Sequence, residues 1–160
     1  VAAPAGPGRR LPGAGTVDLA DLAAGTVTGY THTPVPVSAD ALGPCLVTGD
    51  AEGLRRMLVN LIDNALRYAR SQVTVAVSTG DGSALVTVTD DGPGIAPEDM
   101  ERAFDRFTTL DDARARSGDD VGGAGLGLAI VRATAIAHGG TAWLEDAGPG
   151  LRAAVRLPFS

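Results

Sequence analysis

The sequence has no lysine, a single cysteine and no long apolar run. Cys45 alone excludes an internal disulfide framework, and with two histidines far apart in the chain it cannot form a structural zinc site. No segment approaches the length of a membrane span, and no basic-then-apolar signal segment opens the chain. These absences predict a cytoplasmic domain without membrane contact. A first residue of valine rather than methionine indicates a fragment of a longer protein.

Positive charge is scarce as well, because 13 basic residues stand against 19 acidic ones and the formal net charge is −6. All 13 basic residues are arginine. A nucleic-acid surface needs clustered excess positive charge, so this balance predicts no nucleic-acid partner. An anionic ligand would require a metal ion or local arginines. With 160 residues, 44% of them apolar, the chain is long enough for one domain with a sizeable core. Residues 1–15, rich in Ala, Pro and Gly, are predicted to be a flexible linker, and residues 16–160 that domain.

The strongest helical pattern runs from Ala51 to Arg70, with Asp50 predicted as its N-cap. Leucine, isoleucine and alanine recur there at helical spacing and would turn a broad face toward a core. Asn60 and Asn64 fall one turn apart on a polar stripe beside that face. Asparagine competes for backbone hydrogen bonds, so two in register cost helix stability unless a ligand uses them. A hydrated cation and a phosphate chain would use them; solvated amides on an exposed helix are the alternative.

After this helix the apolar period changes from 3.6 to 2, which predicts a hairpin of strands 73–78 and 84–89 around a turn at 80–82. By alternation Asp90 lies on the buried face of the second strand, and a buried carboxylate needs a hydrogen-bond donor. The exocyclic amine of a purine is one such donor. A plain strand-to-loop turn is the alternative, since Asp-Gly and Pro-Gly are common turn dipeptides.

Shorter elements are predicted around this helix and hairpin. Thr16 would cap a short amphipathic helix that ends near Gly29. Val35–Val37 and Leu46–Thr48 are predicted strands, the first at a sheet edge because prolines interrupt it. Pro97–Phe104 is predicted to be a short helix with proline in its first turn.

A glycine run at residues 122–127 ends an aperiodic loop and opens a last helix. The apolar set predicted for this helix is Leu128, Ile130, Val131, Ala135 and Ile136. Glycines that open a helix expose backbone N–H groups at the positive end of its dipole, which is a seat for phosphate. A Walker A loop would require a lysine, and a Rossmann fingerprint requires a different glycine spacing directly after a strand, so neither applies.

Four motifs in order carry a resemblance to a known family. They are Asn60-Leu-Ile-Asp-Asn64-Ala-Leu-Arg-Tyr68, Asp90-Asp-Gly-Pro-Gly-Ile95, Phe104-Asp-Arg-Phe107 and Gly123-Ala-Gly-Leu-Gly-Leu128. They resemble the N, G1, F and G2 boxes of the ATP-binding catalytic domain of bacterial sensor histidine kinases, within the GHKL (HATPase) superfamily. The resemblance runs from about Val17 to the C-terminus. It implies an α/β fold: a two-layer sandwich of a mixed, mostly antiparallel sheet with helices packed on one face, which holds Mg²⁺ and ATP beneath a mobile lid.

The resemblance also implies roles for individual residues. Asn64 would be the Mg²⁺ ligand, with Asn60 supporting the metal and phosphates. Asp90 would accept a hydrogen bond from the adenine amino group, in a pocket shaped by Gly92 and Gly94. The other implied nucleotide contacts are Arg67, Tyr68, Ile95, Phe107, Gly123, Gly125, Leu126, Gly127 and Leu128.

The implied catalytic set is Asn60, Arg67, Arg114 and Arg116. Arg67 stands where the family usually has a lysine, which keeps the charge but changes its geometry to a planar fork. The family often has a Tyr-Arg pair after the second phenylalanine of its F box, and this chain has two threonines there. The candidates for the arginine at the phosphates are therefore Arg106, Arg114 and Arg116.

The implied activity is transfer of the γ-phosphoryl group of Mg-ATP to a histidine on a separate dimerisation domain, which would serve a response regulator in two-component signalling. His32 and His138 lack the setting of the family's phosphoacceptor and are predicted to be structural, so the acceptor is expected outside this sequence and the isolated domain is expected to be a monomer. The alternatives are a non-catalytic ATP sensor and a related ATPase or serine kinase. The related ATPases and serine kinases carry glutamate, a base, where Asn60 stands. Asp63 is the possible substitute base in this chain, but it lies off the polar stripe.

Overall fold

The computed structural model describes residues 14–41, 43–104 and 124–159. The elements follow in the order β1 (Ala14–Asp18), α1 (Leu19–Val27), β2 (Val37–Ala41), β3 (Leu46–Asp50), α2 (Ala51–Tyr68), β4 (Val73–Gly80), β5 (Ser83–Asp90), α3 (Pro97–Met100), a 3₁₀ turn (Arg102–Phe104), α4 (Ala124–Ala137), β6 (Thr141–Asp146) and β7 (Leu151–Pro158). The predicted lid loop lies outside the described residues.

Five of the described strands form one mixed sheet in the order β2, β4, β5, β7, β6. Within it β2 and β4 run parallel, and the other three pairings are antiparallel. β1 and β3 pair antiparallel as a separate two-stranded sheet. Helices α1, α2 and α4 pack against the large sheet, α1 over β2 and β4, α2 over β4 and β5, and α4 over β6 and β7. The predicted two-layer sandwich with a mostly antiparallel sheet is therefore confirmed.

Strands β4 and β5 form the hairpin that the alternation predicts. Asp81 and Gly82 have φ angles of 52° and 73°, the left-handed pair of a type I′ turn, whose twist matches that of the flanking strands. Every second side chain of the hairpin is buried toward the helices, and these side chains are Val73, Val75, Val77, Ala84, Val86 and Val88. The same alternation brings Asp90 to the buried end of β5, as predicted.

Helix α2 begins as predicted, because Asp50 Oδ1 accepts a hydrogen bond from the Glu52 N–H at 3.2 Å and so caps the first turn. It ends at Tyr68, two residues before the predicted Arg70. Its buried residues are Leu54, Met57, Leu58, Leu61, Ile62 and Ala65. Each fully buried side chain of leucine size stabilises the fold by about 1.5–3 kcal/mol relative to an exposed one, so this face anchors the polar stripe beside it.

The prediction that Thr16 caps the first helix is wrong. Thr16 lies within β1, where it pairs with Thr48 of β3. The N-cap of α1 is Asp18, whose Oδ1 accepts from the N–H groups of Ala20 and Cys45 at 3.1 and 3.0 Å. Strand β1 also begins at residue 14, two residues before the predicted start of the domain. A five-residue strand whose partner lies some thirty positions later gives too short an alternation to be detected locally.

The start of one strand and the buried face of one helix also differ from the prediction. Strand β2 is an edge strand, as predicted, but it begins at Val37 rather than Val35, after Pro36, because proline has no N–H to offer a sheet. In α4, three of the five predicted core residues are buried, whereas Ile130 is 38% and Ile136 is 63% exposed. The apolar set of α4 therefore extends beyond the face that the sheet covers.

None of the helices in the described ranges has the length and apolar character needed to cross a lipid bilayer.

Candidate functional site

Asp90 is the last residue of β5 and is only 3% exposed. Its Oδ1 accepts a hydrogen bond from the Gly92 N–H at 2.8 Å, which supplies a donor for the buried carboxylate. Hydrogen bonds to a charged acceptor are stronger than neutral ones, so this bond fixes the orientation of the side chain. The structure thus holds a rigid acceptor at the end of the hairpin.

Glycines fix the backbone around Asp90 on two sides. A Cβ at Gly92 would lie 2.1 Å from the carbonyl oxygen of Tyr68, so the turn after Asp90 lies directly against the end of α2. Gly150, at φ +99° in the turn between β6 and β7, approaches from the other side, and its Cβ would lie 1.9 Å from the carbonyl oxygen of Asp90. Gly94, at φ +71°, faces Gly150 in turn. Only residues without a side chain allow these three segments to meet.

Gly150 is a site residue that sequence reasoning missed. The available signal was the Gly148-Pro149-Gly150 triplet between two apolar alternations, which marks a turn but not what the turn contacts.

The neighbouring carboxylate, Asp91, has a structural role. Its Oδ1 accepts from the backbone N–H groups of Arg70, Ser71 and Gln72 at 2.8, 2.9 and 3.3 Å, and the Ser71 hydroxyl donates to its Oδ2. The hydrogen bonds from Ser71, with those from the two neighbouring N–H groups, hold the pKa of Asp91 well below its usual range. Asp91 therefore ties the loop after α2 to the end of β5, a role that the sequence did not reveal.

This arrangement predicts a specific dependence of stability on pH. Because the pKa of Asp91 is lower in the folded chain than the value of about 3.9 in an unfolded one, its contribution is complete above that value and is lost as the pH falls through the folded pKa. The variant Asp91→Asn should be less stable than the unmodified chain in urea titrations at neutral pH, and the difference should shrink as the pH falls below about 4.

Asp81→Asn, at the exposed turn of the same hairpin, is the control for removing one negative charge. A stability difference between Asp91→Asn and the unmodified chain that is the same at neutral and acid pH would contradict the assigned role of Asp91.

The predicted ligands of the metal and phosphates lie on α2. Asn60 and Asn64 are both half-buried, and Asn60 Nδ2 is a buried nitrogen without a hydrogen-bond partner among the described residues. An unmet buried donor costs about 1–3 kcal/mol, so the position favours a ligand that brings an acceptor oxygen. Amide oxygens are hard ligands, and Mg²⁺ is commonly held by one or two side chains together with substrate phosphates. The two asparagines fit that donor set.

Asp63 lies between the two asparagines in sequence but contacts a different element. The hydroxyl of Tyr30, in the segment between α1 and β2, donates to Asp63 Oδ1 at 2.9 Å. Burial, and then this hydrogen bond, raise the pKa of Tyr30 above its usual value. Asp63 is exposed and engaged by Tyr30, which agrees with its predicted place off the polar stripe.

The first phenylalanine of the F box is held against α4. The guanidinium carbon of Arg132 lies 4.4 Å from the ring centroid of Phe104, and an Arg132 nitrogen donates to Glu101 Oε2 at 2.9 Å. A cation–π contact of this kind stabilises by about 0.5–1 kcal/mol at an exposed site. Arg132 therefore links the 3₁₀ turn and the residue before it to the helix that carries the glycines.

The remaining predicted site residues fall into three groups. Arg67 is exposed and Tyr68 half-buried at the end of α2, and Ile95 packs against the core after the Asp90 turn. Gly125, Leu126 and Gly127 lie within the first turns of α4, which begins at Ala124 and so earlier than predicted, and Leu128 belongs to the buried core. Arg106, Phe107, Arg114, Arg116 and Gly123 lie outside the described residues.

Comparison with known sequences shows the family to which the chain belongs. Residues 49–160 match the family described as histidine kinase-, DNA gyrase B- and HSP90-like ATPases. The chain is 43% identical over 116 residues to the sensor histidine kinase CusS of Escherichia coli K12, a match that covers 71% of this chain and 24% of CusS. It is 40% identical over 118 residues to the sensor histidine kinase CpxA of the same strain, a match that covers 73% of this chain and 25% of CpxA. The chain thus spans about a quarter of the length of these curated relatives.

Solved structures share the fold over nearly the whole chain. The ATP-binding domain of PrrB from Mycobacterium tuberculosis matches with a TM-score of 0.75 at 26% identity, over 93% of this chain and 99% of that one. Full-length ShkA in complex with AMPPNP matches with a TM-score of 0.76 at 27% identity, over 92% of this chain and 31% of ShkA. The chain therefore belongs to the histidine kinase-, DNA gyrase B- and HSP90-like ATPases, and within them its similarity lies with the ATP-binding catalytic domains of sensor histidine kinases.

Proposed function

We propose that this domain binds Mg-ATP and donates the γ-phosphoryl group to a histidine on a separate dimerisation and phosphoacceptor domain of a sensor histidine kinase. The observation that carries the proposal is the junction of Gly92 with the end of α2, which joins the buried Asp90 to the helix of the asparagines. Asn64 lies one turn before Tyr68 and Asn60 two turns before it, about 6 and 12 Å along the helix axis. Asp90, a hydrogen-bond acceptor for a nucleobase, and the asparagines, which can donate to phosphates, thus follow one another along the direction of α2.

Each group has a role that its chemistry supports. Asp90 accepts from the exocyclic amine of adenine, and the amide of Asn60 donates to a phosphate oxygen. Asn64 and Asn60 hold Mg²⁺, which when bound would neutralise charge on the phosphates. Backbone N–H groups at the start of α4 and the guanidinium of Arg67 or of a lid arginine stabilise the transferred group. The complex of the similar ShkA with AMPPNP supports ATP as the ligand.

The phosphoacceptor must come from another domain. The imidazole nitrogens of His138 lie within hydrogen-bond distance of the Asp50 N–H and the Thr134 carbonyl oxygen, so this residue is a structural part of the fold. Ile130 and Ile136 leave apolar surface exposed on α4, which suits docking of an apolar helix face against this helix. Neutral histidine already has a nucleophilic nitrogen, so amide Asn60 in place of a glutamate base favours histidine over serine or water as the acceptor. A response regulator would then receive the phosphoryl group.

Calorimetric titration of the chain with ATP, with and without Mg²⁺ and beside GTP, tests the proposal. Binding that prefers adenine and strengthens with Mg²⁺ is expected, followed by labelling of a supplied phosphoacceptor domain. Binding without any labelling would favour a non-catalytic ATP sensor, and release of phosphate without an acceptor would favour an ATPase.

Asn64→Ala should remove most of the gain in ATP affinity that Mg²⁺ provides, because it deletes the proposed metal ligand while its half-buried position tolerates alanine. Affinity should be measured for ATP with Mg²⁺ and with EDTA. Asp63→Ala, one residue away and bonded to Tyr30 instead, is the matched control and should keep the full Mg²⁺ effect. A full Mg²⁺ effect in Asn64→Ala would refute the assignment.

A further inference from the structure

His138 connects the end of α4 to the start of α2. Its Nε2 lies 3.1 Å from the backbone nitrogen of Asp50, and its Nδ1 lies 2.8 Å from the carbonyl oxygen of Thr134. A backbone N–H can only donate and a carbonyl oxygen can only accept, so Nε2 accepts from Asp50 and Nδ1 donates to Thr134. Both ring nitrogens are therefore committed, and the side chain bonds the junction between β3 and α2.

The space for this imidazole is provided by a glycine of β3. A Cβ at Gly49 would lie 2.5 Å from His138 Cδ2 and 2.7 Å from His138 Nε2. The φ angle of Gly49 is not left-handed, so the backbone conformation does not require glycine there. The closeness of the His138 ring is what explains a glycine at this position. Its cross-strand partner Gly15 has open space where a Cβ would lie.

The backbone that carries His138 is itself rigid. Gly139 is left-handed at φ +82°, and its N–H donates to the Ile136 carbonyl at 2.9 Å. The N–H of Gly140 donates to the Ala135 carbonyl at 2.8 Å, which completes a Schellman cap of α4. A Cβ at Gly140 would lie 1.9 Å from the Arg156 carbonyl oxygen, so this cap lies directly on β7. The imidazole thus projects from a fixed point.

The bond joins α2 and α4 at one end and gives a common point from which to measure along both helices. α2 begins where α4 ends and the two helices pack against each other, so they run antiparallel. Asn60 is ten residues after Asp50, and Leu128 is ten residues before His138, so each lies about 15 Å along its helix from the bond. Asn64 is level with the first residue of α4 by the same arithmetic. Measured along each helix from the bond, both asparagines therefore lie opposite the first turns of α4.

We infer that His138 is a positioning residue for the phosphate end of the nucleotide site. It acts through the alignment of α4 with α2, and Gly49 is required because it makes room for the ring. The inference rests on the proposed function. It separates two parts of the ligand: the phosphates, held between the two helices, depend on His138, whereas the adenine end, held by Asp90 and its glycine contacts, does not.

Two ligands and two independent variants test this inference on the whole chain. Gly49→Ala leaves His138 intact but displaces its ring, and His138→Met removes the hydrogen-bond acceptor at similar volume. Both should weaken Mg-ATP binding by about two- to thirtyfold in calorimetry while adenosine binding stays unchanged. Gly15→Ala, the cross-strand neighbour of Gly49 with open space for a Cβ, is the matched control and should change neither affinity.

The double variant and a conservative one give further readouts. Gly49→Ala combined with His138→Met should lose no more ATP affinity than either alone, because both break the same bond. His138→Gln, whose amide oxygen can accept from the Asp50 N–H, should recover part of the affinity. Equal losses for ATP and adenosine, or an unchanged ATP affinity in both single variants, would overturn the inference. An unmodified chain that binds neither ligand would instead overturn the proposed function.

Discussion

Replacing Asp90 by asparagine is expected to lower the affinity for ATP by about ten- to a hundredfold, because a hydrogen bond to a charged acceptor is worth about 1.5–3 kcal/mol and each 1.4 kcal/mol is tenfold. The fold should survive, since asparagine keeps one oxygen that can accept from the Gly92 N–H at the 2.8 Å geometry of the carboxylate. What changes is the second oxygen, which becomes an amide nitrogen that donates. A donor would then face the donating exocyclic amine of adenine.

This reversal makes the test selective. Inosine triphosphate carries an acceptor oxygen where adenine carries the amine, so Asp90→Asn should bind it at least as well as the unmodified chain does. Asp81→Asn makes the same chemical change at the opposite, exposed end of the hairpin and should bind ATP normally. Unchanged ATP affinity in Asp90→Asn, or an equal loss for both nucleotides, would refute the assignment of Asp90 to the adenine amine.

The residue positions that the sequence predicts correctly are those on long periodic elements. Helix α2 has five turns of apolar spacing and a capping Asp50, and the hairpin alternates over two strands of eight residues each. Such periodicity determines which face of an element is buried, so it also determines that Asp90 points inward and that the asparagines lie beside the core.

The parts that the sequence does not reveal depend on contacts between distant segments. Thr16 looks like a cap until β3 pairs with it, because local sequence does not show the partner strand. Ile130 and Ile136 match the helical pattern, yet both are exposed, because the pattern does not show which side of α4 other elements cover. The work of Asp91 depends on three N–H groups about twenty residues upstream, and nothing in an Asp-Gly dipeptide distinguishes it from an ordinary turn.

Gly150 is the strongest case of such a distant contact, and its replacement should have the largest effect on stability. At φ +99° an alanine lies outside the conformations that L-residues favour, which costs of order 1–3 kcal/mol. Its Cβ would also lie 1.9 Å from the Asp90 carbonyl oxygen and 2.8 Å from the Asp91 Cα, so the backbone must move, at a further cost of about 1–3 kcal/mol. Gly150→Ala should therefore lose about 2–6 kcal/mol of unfolding free energy in urea titration, a large part of the 5–15 kcal/mol typical of a domain.

The direction of that movement links stability to binding. Atoms displaced by a Cβ at Gly150 belong to Asp90 and Asp91, so any Gly150→Ala chain that remains folded should also bind ATP and adenosine more weakly, unlike the His138 variants, which affect ATP alone. Gly82→Ala, at φ +73° with open space for its Cβ, isolates the backbone cost from the steric one and should lose less stability and no affinity. If Gly150→Ala proved no less stable than Gly82→Ala, the turn between β6 and β7 would not be a wall of the adenine site, and Asp90 would depend on Gly92 and α2 alone for its position.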